Sequence, residues 1–150
     1  PLIEAGAPGG SLVSPRSEKE WGVSANGASD QEFPEAVDMA AGEIPSSSVL
    51  GRLERGIYIG DLWYLNYSDV VSCRMTGLTR FATFWVEGGE IQAPINVMRF
   101  DETVYRVLGE NLIGLTQERD LFLDTGTYQS RSTRSSRMPG ALVEDFSLTL

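Results

Sequence analysis

A pair of glycines between two short runs constrains the fold of this chain more than any other feature of the sequence. The runs are Phe81–Glu87 and Glu90–Ala93, and Gly88-Gly89 joins them directly. The first run is dense in aromatic and β-branched residues, which pack well on a pleated surface. Two consecutive glycines supply the positive φ angles of a tight turn, so we predict an antiparallel β-hairpin here. The predicted cross-strand pairs are Val86 with Ile91, Phe84 with Ala93, and Trp85 with Gln92.

The rest of the chain divides into a loop-rich segment and a β-rich core. Residues 1–48 are rich in Gly, Ser, Ala and Pro and are predicted to form loops with short ordered pieces, whereas residues 49–150 carry the stronger strand signals. Asp101 can cap a helix from about Glu102 to Thr116, along which apolar residues recur at three- and four-residue spacing. We therefore predict a single, mainly β (α+β) domain over residues 1–150, with an antiparallel or barrel-like sheet and one substantial helix.

The charge balance argues against two classes of partner. The net charge is −9 and the isoelectric point is near 4.4. Such a chain is poorly suited to replace the counterions of nucleic-acid phosphates, and an anionic membrane would repel it. No apolar run approaches the roughly 18–20 residues that cross a bilayer. We expect a soluble protein that binds neither nucleic acid nor membranes, and its single cysteine, Cys73, favours a reducing, cytoplasmic location.

The absence of histidine from the sequence removes most catalytic and metal sites. Histidine is the usual general base near neutral pH and a common zinc ligand. This chain has no histidine and only one cysteine. A Ser-His-Asp triad, a Cys-His pair or a histidine-bearing zinc site cannot be built from it. No carboxylates have the spacing of a calcium loop. We predict no catalytic residue, no metal ligand and no cofactor in this chain.

Two groups of residues remain as candidates for contact with a peptide or a partner. Arg131, Arg134 and Arg137 recur every three residues and form the one concentrated basic stretch. They can hold a carboxylate through bidentate contacts, or they can belong to an ordinary solvated loop. The second group comprises Trp63 and Trp85, which either line a peptide groove or belong to the core and a subunit interface.

Three stretches carry a resemblance to a known family. The run Arg80–Ile95 is similar to the F-W-V-E-x-G-E-I-x-x-P hairpin near the end of TldD/PmbA proteins, once called modulators of DNA gyrase. The run Leu53–Ile59 resembles the segment shortly before that hairpin, and Leu142–Phe146 resembles the family's final strand in character. The likeness covers roughly residues 46–150. Because the chain begins at Pro1 without an initiator Met, we expect it to be the C-terminal domain of a longer protein.

The resemblance implies a role in peptide hydrolysis. In this family a metal-bearing subunit holds zinc through a histidine pair on a helix and a cysteine in its C-terminal tail, and a paired subunit without these ligands helps to enclose the chamber. The tail cysteine would fall between Leu123 and Pro139, where this chain has none, and Cys73 lies before the hairpin. The chain therefore resembles the metal-free PmbA/TldE-type subunit, with zinc expected in its partner. The implied partners are a TldD-like subunit or a second copy, and a peptide substrate.

Two alternatives remain open. The chain can be the tail of the zinc metallopeptidase subunit itself, with its cysteine ligand replaced. It can also be a non-enzymatic binding module that contacts a protein such as gyrase, as the older family name suggests.

Overall fold

A computed structural model describes residues 1–149 and has a mainly β fold. Strands hold 45% of the residues and helices 15%, which confirms the predicted fold class. The strands are β1 (Ile3–Glu4), β2 (Ala7–Pro8), β3 (Ala36–Asp38), β4 (Arg55–Ile59), β5 (Leu62–Asp69), β6 (Arg74–Thr79), β7 (Thr83–Glu87), β8 (Glu90–Pro94), β9 (Arg99–Thr103), β10 (Leu112–Leu123), β11 (Ser135–Val143) and β12 (Leu148–Thr149). The helical segments are α1 (Pro15–Trp21), a 3-10 turn (Ser46–Ser48), α2 (Val49–Leu53) and a π-helical turn (Arg106–Glu110).

The strands form open sheets whose described pairings are antiparallel, except that β3 pairs with β11 in parallel. The orders are β1-β2, β10-β11-β3, β12-β9-β6-β5 and β4-β7-β8. The chain divides into two compact units: the first holds residues 1–40 and 119–139, and the second holds residues 41–118 and those from 140 onward. That residues 1–150 act as one C-terminal domain stays a prediction.

In the first unit, hydrogen bonds between side chains and backbone order the loop-rich N-terminal segment. Helix α1 begins at Pro15, whose fixed φ suits a first helical position, and the hydroxyl of Ser14 caps it by accepting from the Ser17 N–H at 3.2 Å. The helix ends at Gly22, which has a φ of 69°. Asn26, after the helix, is joined to the segment before it, because the Asn26 Oδ1 accepts from the Val13 N–H at 2.9 Å.

The carboxylate of Glu32 joins this helix start to the following loop. It accepts hydrogen bonds from the Ser17 hydroxyl (2.5 Å), the Ser14 hydroxyl (2.7 Å) and the Ser14 N–H (3.0 Å). These hydroxyls, with Ser17 first, hold the pKa of Glu32 below its ordinary value. Ser14 is fully buried beneath this cluster. The hydrogen bonds to this one carboxylate thus hold the short segment together in place of an apolar core.

Replacing Glu32 with Ala is therefore expected to loosen the start of α1. The Ser14 amide loses its acceptor, so its hydrogen exchange should quicken by roughly tenfold or more, because exchange follows local opening. Exchange at Val86, in the second unit, should not change. The matched control is Glu35→Ala, which removes a nearby carboxylate outside this cluster. Equal exchange rates at Ser14 in the wild type and Glu32→Ala would contradict the tether.

In the second unit, two neighbouring sheets supply the buried residues. Val86 in β7 is fully buried, and Thr79 in β6 and Phe100 in β9 are buried as well. Strand β7 lies between β4 and β8, so its backbone is paired along both edges. Phe146, in the segment before β12, packs on Phe100 with ring centroids 5.3 Å apart.

The predicted hairpin is confirmed, but two of its three cross-strand pairs are wrong. Gly88 and Gly89 have φ angles of 62° and 77°, and Val86 faces Ile91 as expected. Beyond that pair the register shifts by one residue. The extra residue is Gln92, whose side-chain amide turns back to donate to the Glu87 carbonyl at 3.1 Å. The observed pairs are therefore Trp85 with Ala93 and Phe84 with Pro94.

The helix predicted from Glu102 to Thr116 is also wrong in extent. Residues up to Thr103 continue strand β9, and helical structure is confined to residues 104–110. Strand β10 then begins at Leu112. The π-helical turn contains Gly109, a poor helix former, and ends at Glu110, so Leu112 and Leu115 of the predicted apolar stripe lie in β10 instead.

Candidate partner and peptide surface

The second unit exposes an apolar edge strand. All residues of β5 are exposed, including Trp63 and Tyr64, the latter at 71%. Strand β5 is the last strand in the order β12-β9-β6-β5, and the turn after it presents Val70 and Val71, the latter at 92%. Apolar residues gathered in this way on a surface typically mark a contact with another chain segment, a partner or a ligand.

Antiparallel pairing divides the side chains of β5, β6 and β9 between two faces. A Cβ on Gly77 would lie 2.8 Å from Phe100 Cε1 and 2.9 Å from Leu65 Cδ2, so these two side chains share one face, here called the Phe100 face. The opposite face is here called the Arg99 face. Its two rows across the three strands are Trp63–Leu78–Arg99 and Asn66–Thr76–Asp101.

The Arg99 face combines aromatic rings with guanidinium groups. The guanidinium carbon of Arg80 lies 4.2 Å from the centre of the Trp63 ring and 5.5 Å from that of Phe81. This is the geometry of a cation–π contact, which stabilises more when water is excluded from it. Nearby, a depression of about 220 Å³ is lined by Tyr64, Asn66, Thr76, Gly77, Leu78 and Arg99.

The Phe100 face carries a buried carboxylate. Glu102 is 3% exposed, and it accepts from Arg106 Nη1 at 2.7 Å and from the Ser147 hydroxyl at 2.9 Å. Burial disfavours its charged form, but hydrogen bonds from the Thr103 N–H and Ser147 and the charge of Arg106 lower its pKa below the ordinary value. This network holds the C-terminal segment against β9, and it is a structural feature of the fold.

Comparison with known proteins places the chain in a family. The family model for the PmbA/TldA metallopeptidase C-terminal domain matches residues 1–150. The chain belongs to the PmbA/TldD family. No curated protein matches the chain in a sequence search.

Two solved structures share the fold of this chain. TldE from Thermococcus kodakarensis aligns with a TM-score of 0.75 and 17% identity, over 99% of this chain and 33% of its own length. A Thermotoga maritima protein described as a "putative modulator of a DNA gyrase" aligns with a TM-score of 0.71 and 17% identity, over 95% of this chain and 31% of its own length. This chain therefore spans about a third of the length of these two proteins.

The two central stretches of the PmbA/TldD resemblance are neighbours in one sheet. Strand β4 lies within Leu53–Ile59, and it pairs with β7 of the hairpin from Arg55–Glu87 to Ile59–Thr83. Gly56 lies opposite the fully buried Val86 in that ladder. The residues of the family motif thus form the three-stranded sheet β4-β7-β8, and the motif reflects how these strands pair and pack.

The residues proposed from sequence as contacts lie at separate places. Trp63 lies in β5, whereas Trp85 lies in β7, where it is half-buried with the Arg55 guanidinium 5.6 Å from its ring. The three arginines are exposed and belong to the first unit, in which Arg137 lies 3.8 Å from Asp38, a carboxylate that also pairs with Arg119. The roles proposed for Arg131, Arg134, Arg137, Trp63 and Trp85 stay predictions.

Sequence reasoning missed Arg80 and Arg99. Arg80 stands at the start of the family hairpin, but nothing in the linear sequence indicated that it stacks on Trp63, which is 17 positions earlier. Arg99 precedes the residues that were assigned to a helix. Once β9 is recognised as a strand, alternation puts Arg99 and Asp101 on the same face.

The side chains of this PmbA/TldD domain do not fit a zinc site. Within residues 1–149 no three Cys, Asp or Glu residues come together in a way that could hold a metal ion, and the sequence has no histidine. Cys73 has a φ of 50° and lies in the turn between β5 and β6, where its N–H donates to the Val70 carbonyl. Within the same residues, no helix has the length and apolar character to span a membrane.

Proposed function

We propose that this chain is the C-terminal domain of the metal-free, TldE-type subunit of a PmbA/TldD peptidase complex. Its work is to bind the metal-bearing subunit and to shape the chamber that holds the peptide, while zinc and the hydrolytic residues belong to the partner. In this proposal the chain contributes to peptide hydrolysis only by enclosing the chamber and by binding the metal-bearing subunit. A cytoplasmic location is part of the proposal.

One observation carries the proposal. Strand β5 and the Val70-Val71 turn expose seven large apolar side chains, on a chain without histidine: Leu62, Trp63, Tyr64, Leu65, Tyr67, Val70 and Val71. A contiguous group of exposed apolar side chains typically marks a surface that contacts another chain or a ligand. A subunit that works by contact needs such a surface, and it needs no nucleophile or general base. The family supplies the class of partner.

The first test is co-purification with a metal-bearing TldD-like subunit. Val71→Lys should weaken capture by roughly tenfold or more, because a charge replaces an apolar contact that is desolvated in the complex. The control is Val23→Lys, which makes the same change at an exposed valine of the first unit. Equal capture of both variants and the wild type would remove the Val70-Val71 turn from the interface.

A second readout tests whether the chain performs chemistry. Purified alone and supplied with zinc, it should cleave no unfolded peptide, whereas the complex with the metal-bearing subunit should do so. Zinc-dependent cleavage by this chain alone would make it an enzyme and overturn the proposal. Capture of gyrase in place of a TldD-like subunit would favour the non-enzymatic binding module.

A further inference from the structure

We propose that the Arg99 face binds an extended, acidic peptide, with Arg99 holding a carboxylate and the Trp63–Arg80 stack contacting an apolar side chain of the same peptide. The inference deepens the proposed function and rests on it for the source of the peptide. It needs neither metal nor partner, because every group involved belongs to this chain.

The charges of the face favour an acidic ligand. Arg99 is exposed, and among residues 1–149 no carboxylate oxygen lies within ion-pair distance of its guanidinium. Asp101 in the neighbouring row is occupied by Arg74 at 3.0 Å. The Arg99 guanidinium, which lines the depression, is thus available for bidentate contact with a carboxylate.

The other carboxylates near the sheet do not neutralise Arg99. Asp69 accepts from the Val71 N–H at 3.0 Å and from the Ser72 hydroxyl at 2.6 Å, so it serves the β5–β6 turn. Asp61 precedes β5 and lies beside Arg80, whose N–H donates to the Asp61 carbonyl at 3.1 Å. Among residues 1–149, neither Arg80 nor Arg99 makes an ion pair with a carboxylate.

The walls of the depression provide the remaining contacts. Tyr64 and Asn66 come from β5, Thr76 and Leu78 from β6, and Arg99 from β9. The Thr76 hydroxyl already donates to the Phe100 carbonyl at 2.9 Å, so it stiffens the wall. Aromatic and amide side chains beside an arginine suit a peptide, since they offer both stacking and hydrogen bonds to its backbone.

The edge of β5 is a poor template for an added strand. Its pairing with β6 has two register shifts, between Trp63 and Asn66 and between Tyr67 and Asp69, and Tyr64 has a φ of 59°. Such irregularities disrupt the regular row of N–H and C=O groups that a new strand requires. The peptide is therefore expected to cross the face of the sheet, where side chains make the recognition.

The spacing across the strands suggests the form of the peptide. Trp63 and Arg99 are the ends of one row over three strands, and strands lie about 4.8 Å apart, so the two sites are separated by about 10 Å. A polyproline II segment rises about 9 Å in three residues and returns to the same face. An acidic residue three positions from an apolar residue in such a segment would reach both sites together.

The test measures binding of a fluorescein-labelled, proline-containing 12-residue peptide with Glu and Leu three positions apart, by fluorescence anisotropy with the whole chain. Arg99→Gln should raise Kd by about tenfold or more, since hydrogen bonds to charged groups are strong. The control Arg131→Gln makes the same charge change at an exposed arginine of the first unit and should alter Kd less than about twofold. Replacing the peptide's Glu by Gln should match the effect of Arg99→Gln.

Several results would overturn the proposal. One is an equal loss of peptide affinity in Arg99→Gln and Arg131→Gln, and another is that the chain binds single-stranded DNA more tightly than the acidic peptide. The proposal also fails if the peptide does not bind at millimolar protein, or if the chain self-associates through a contact that Arg99→Gln abolishes. Circular dichroism checks that Arg99→Gln is folded, and Asn66→Ala on the opposite wall gives a second variant, expected to weaken binding severalfold. If the wild-type chain captures the metal-bearing subunit but binds no peptide, this inference alone is overturned. If it binds the peptide but does not capture that subunit, the proposed function alone is overturned.

Discussion

Phe100→Ala is expected to lower the free energy of unfolding by about 3–5 kcal/mol, the range seen when a buried phenylalanine is truncated in a core that cannot collapse around the gap. Phe100 is 4% exposed, packs on Phe146 and covers Gly77. Among residues 1–149 few large side chains are so buried, and truncation of Phe100 leaves a gap beside Phe146 and Gly77. The loss is a large fraction of the roughly 5–15 kcal/mol that stabilises a typical domain.

Urea unfolding followed by tryptophan fluorescence measures this effect. The matched control is Phe81→Ala, because Phe81 is 72% exposed and its removal should change stability by less than about 0.5 kcal/mol. Phe100→Leu should lose less than Phe100→Ala, since it retains most of the apolar volume. Equal losses for Phe100→Ala and Phe81→Ala would mean that β9 does not carry the core.

Glu102→Gln is expected to cost roughly 1–3 kcal/mol at pH 7, the size of a hydrogen bond to a buried charged group. The carboxylate binds Arg106 and Ser147, and thereby joins the segment after β9 to the C-terminal segment. An amide keeps the shape of the side chain but loses the charge that attracts Arg106. Glu90→Gln, at an exposed position of the hairpin, is the matched control and should be nearly neutral.

The effect of Glu102 should depend on pH with a definite sign. Its pKa is lower in the folded chain than its ordinary value near 4.5, so the folded state favours the carboxylate. The resulting stabilisation is present above about pH 4.5 and is lost as the pH falls through the lowered pKa. The difference between wild type and Glu102→Gln should therefore shrink as the pH falls below about 4.5. A difference that stays constant as the solution is acidified would show that the charge of Glu102 contributes nothing.

Acid should also loosen the N-terminal segment. Glu32 has a lowered pKa as well, held by the hydroxyls of Ser17 and Ser14. The sign is the same as for Glu102, so the tether weakens as the pH falls below the ordinary carboxyl range. The two carboxylates belong to different units, so each can be followed by exchange at its own amides.

The hairpin and the absence of histidine were readable in the sequence because both depend on local or compositional facts. Gly88-Gly89 permits positive φ angles in any surroundings, and Val86 and Ile91 flank the turn closely enough to pair without help. The absence of histidine holds whatever the fold. The family hairpin likewise stands in one continuous run of sequence.

The errors arose where distant residues decide the outcome. The register beyond Val86 changed because the Gln92 amide bonds to the turn, which no pattern of apolar residues encodes. Glu102 and Thr103 continue β9 because they pair with Met75 and Arg74 of β6, and this pairing outweighed a helical periodicity of modest propensity.

The sequence by itself determined that this chain makes a β-hairpin, carries no histidine-based site and belongs among PmbA/TldD proteins. Only the tertiary structure decided which cations and rings share a surface. Trp63, Arg80 and Arg99 come from different strands or strand ends, and their neighbourhood depends on sheet order and register. Those are set by cross-strand pairing between residues far apart in the chain, whereas the arginine run at 131–137 was recognisable in the sequence because its members are close together in the chain, and its role stays a prediction.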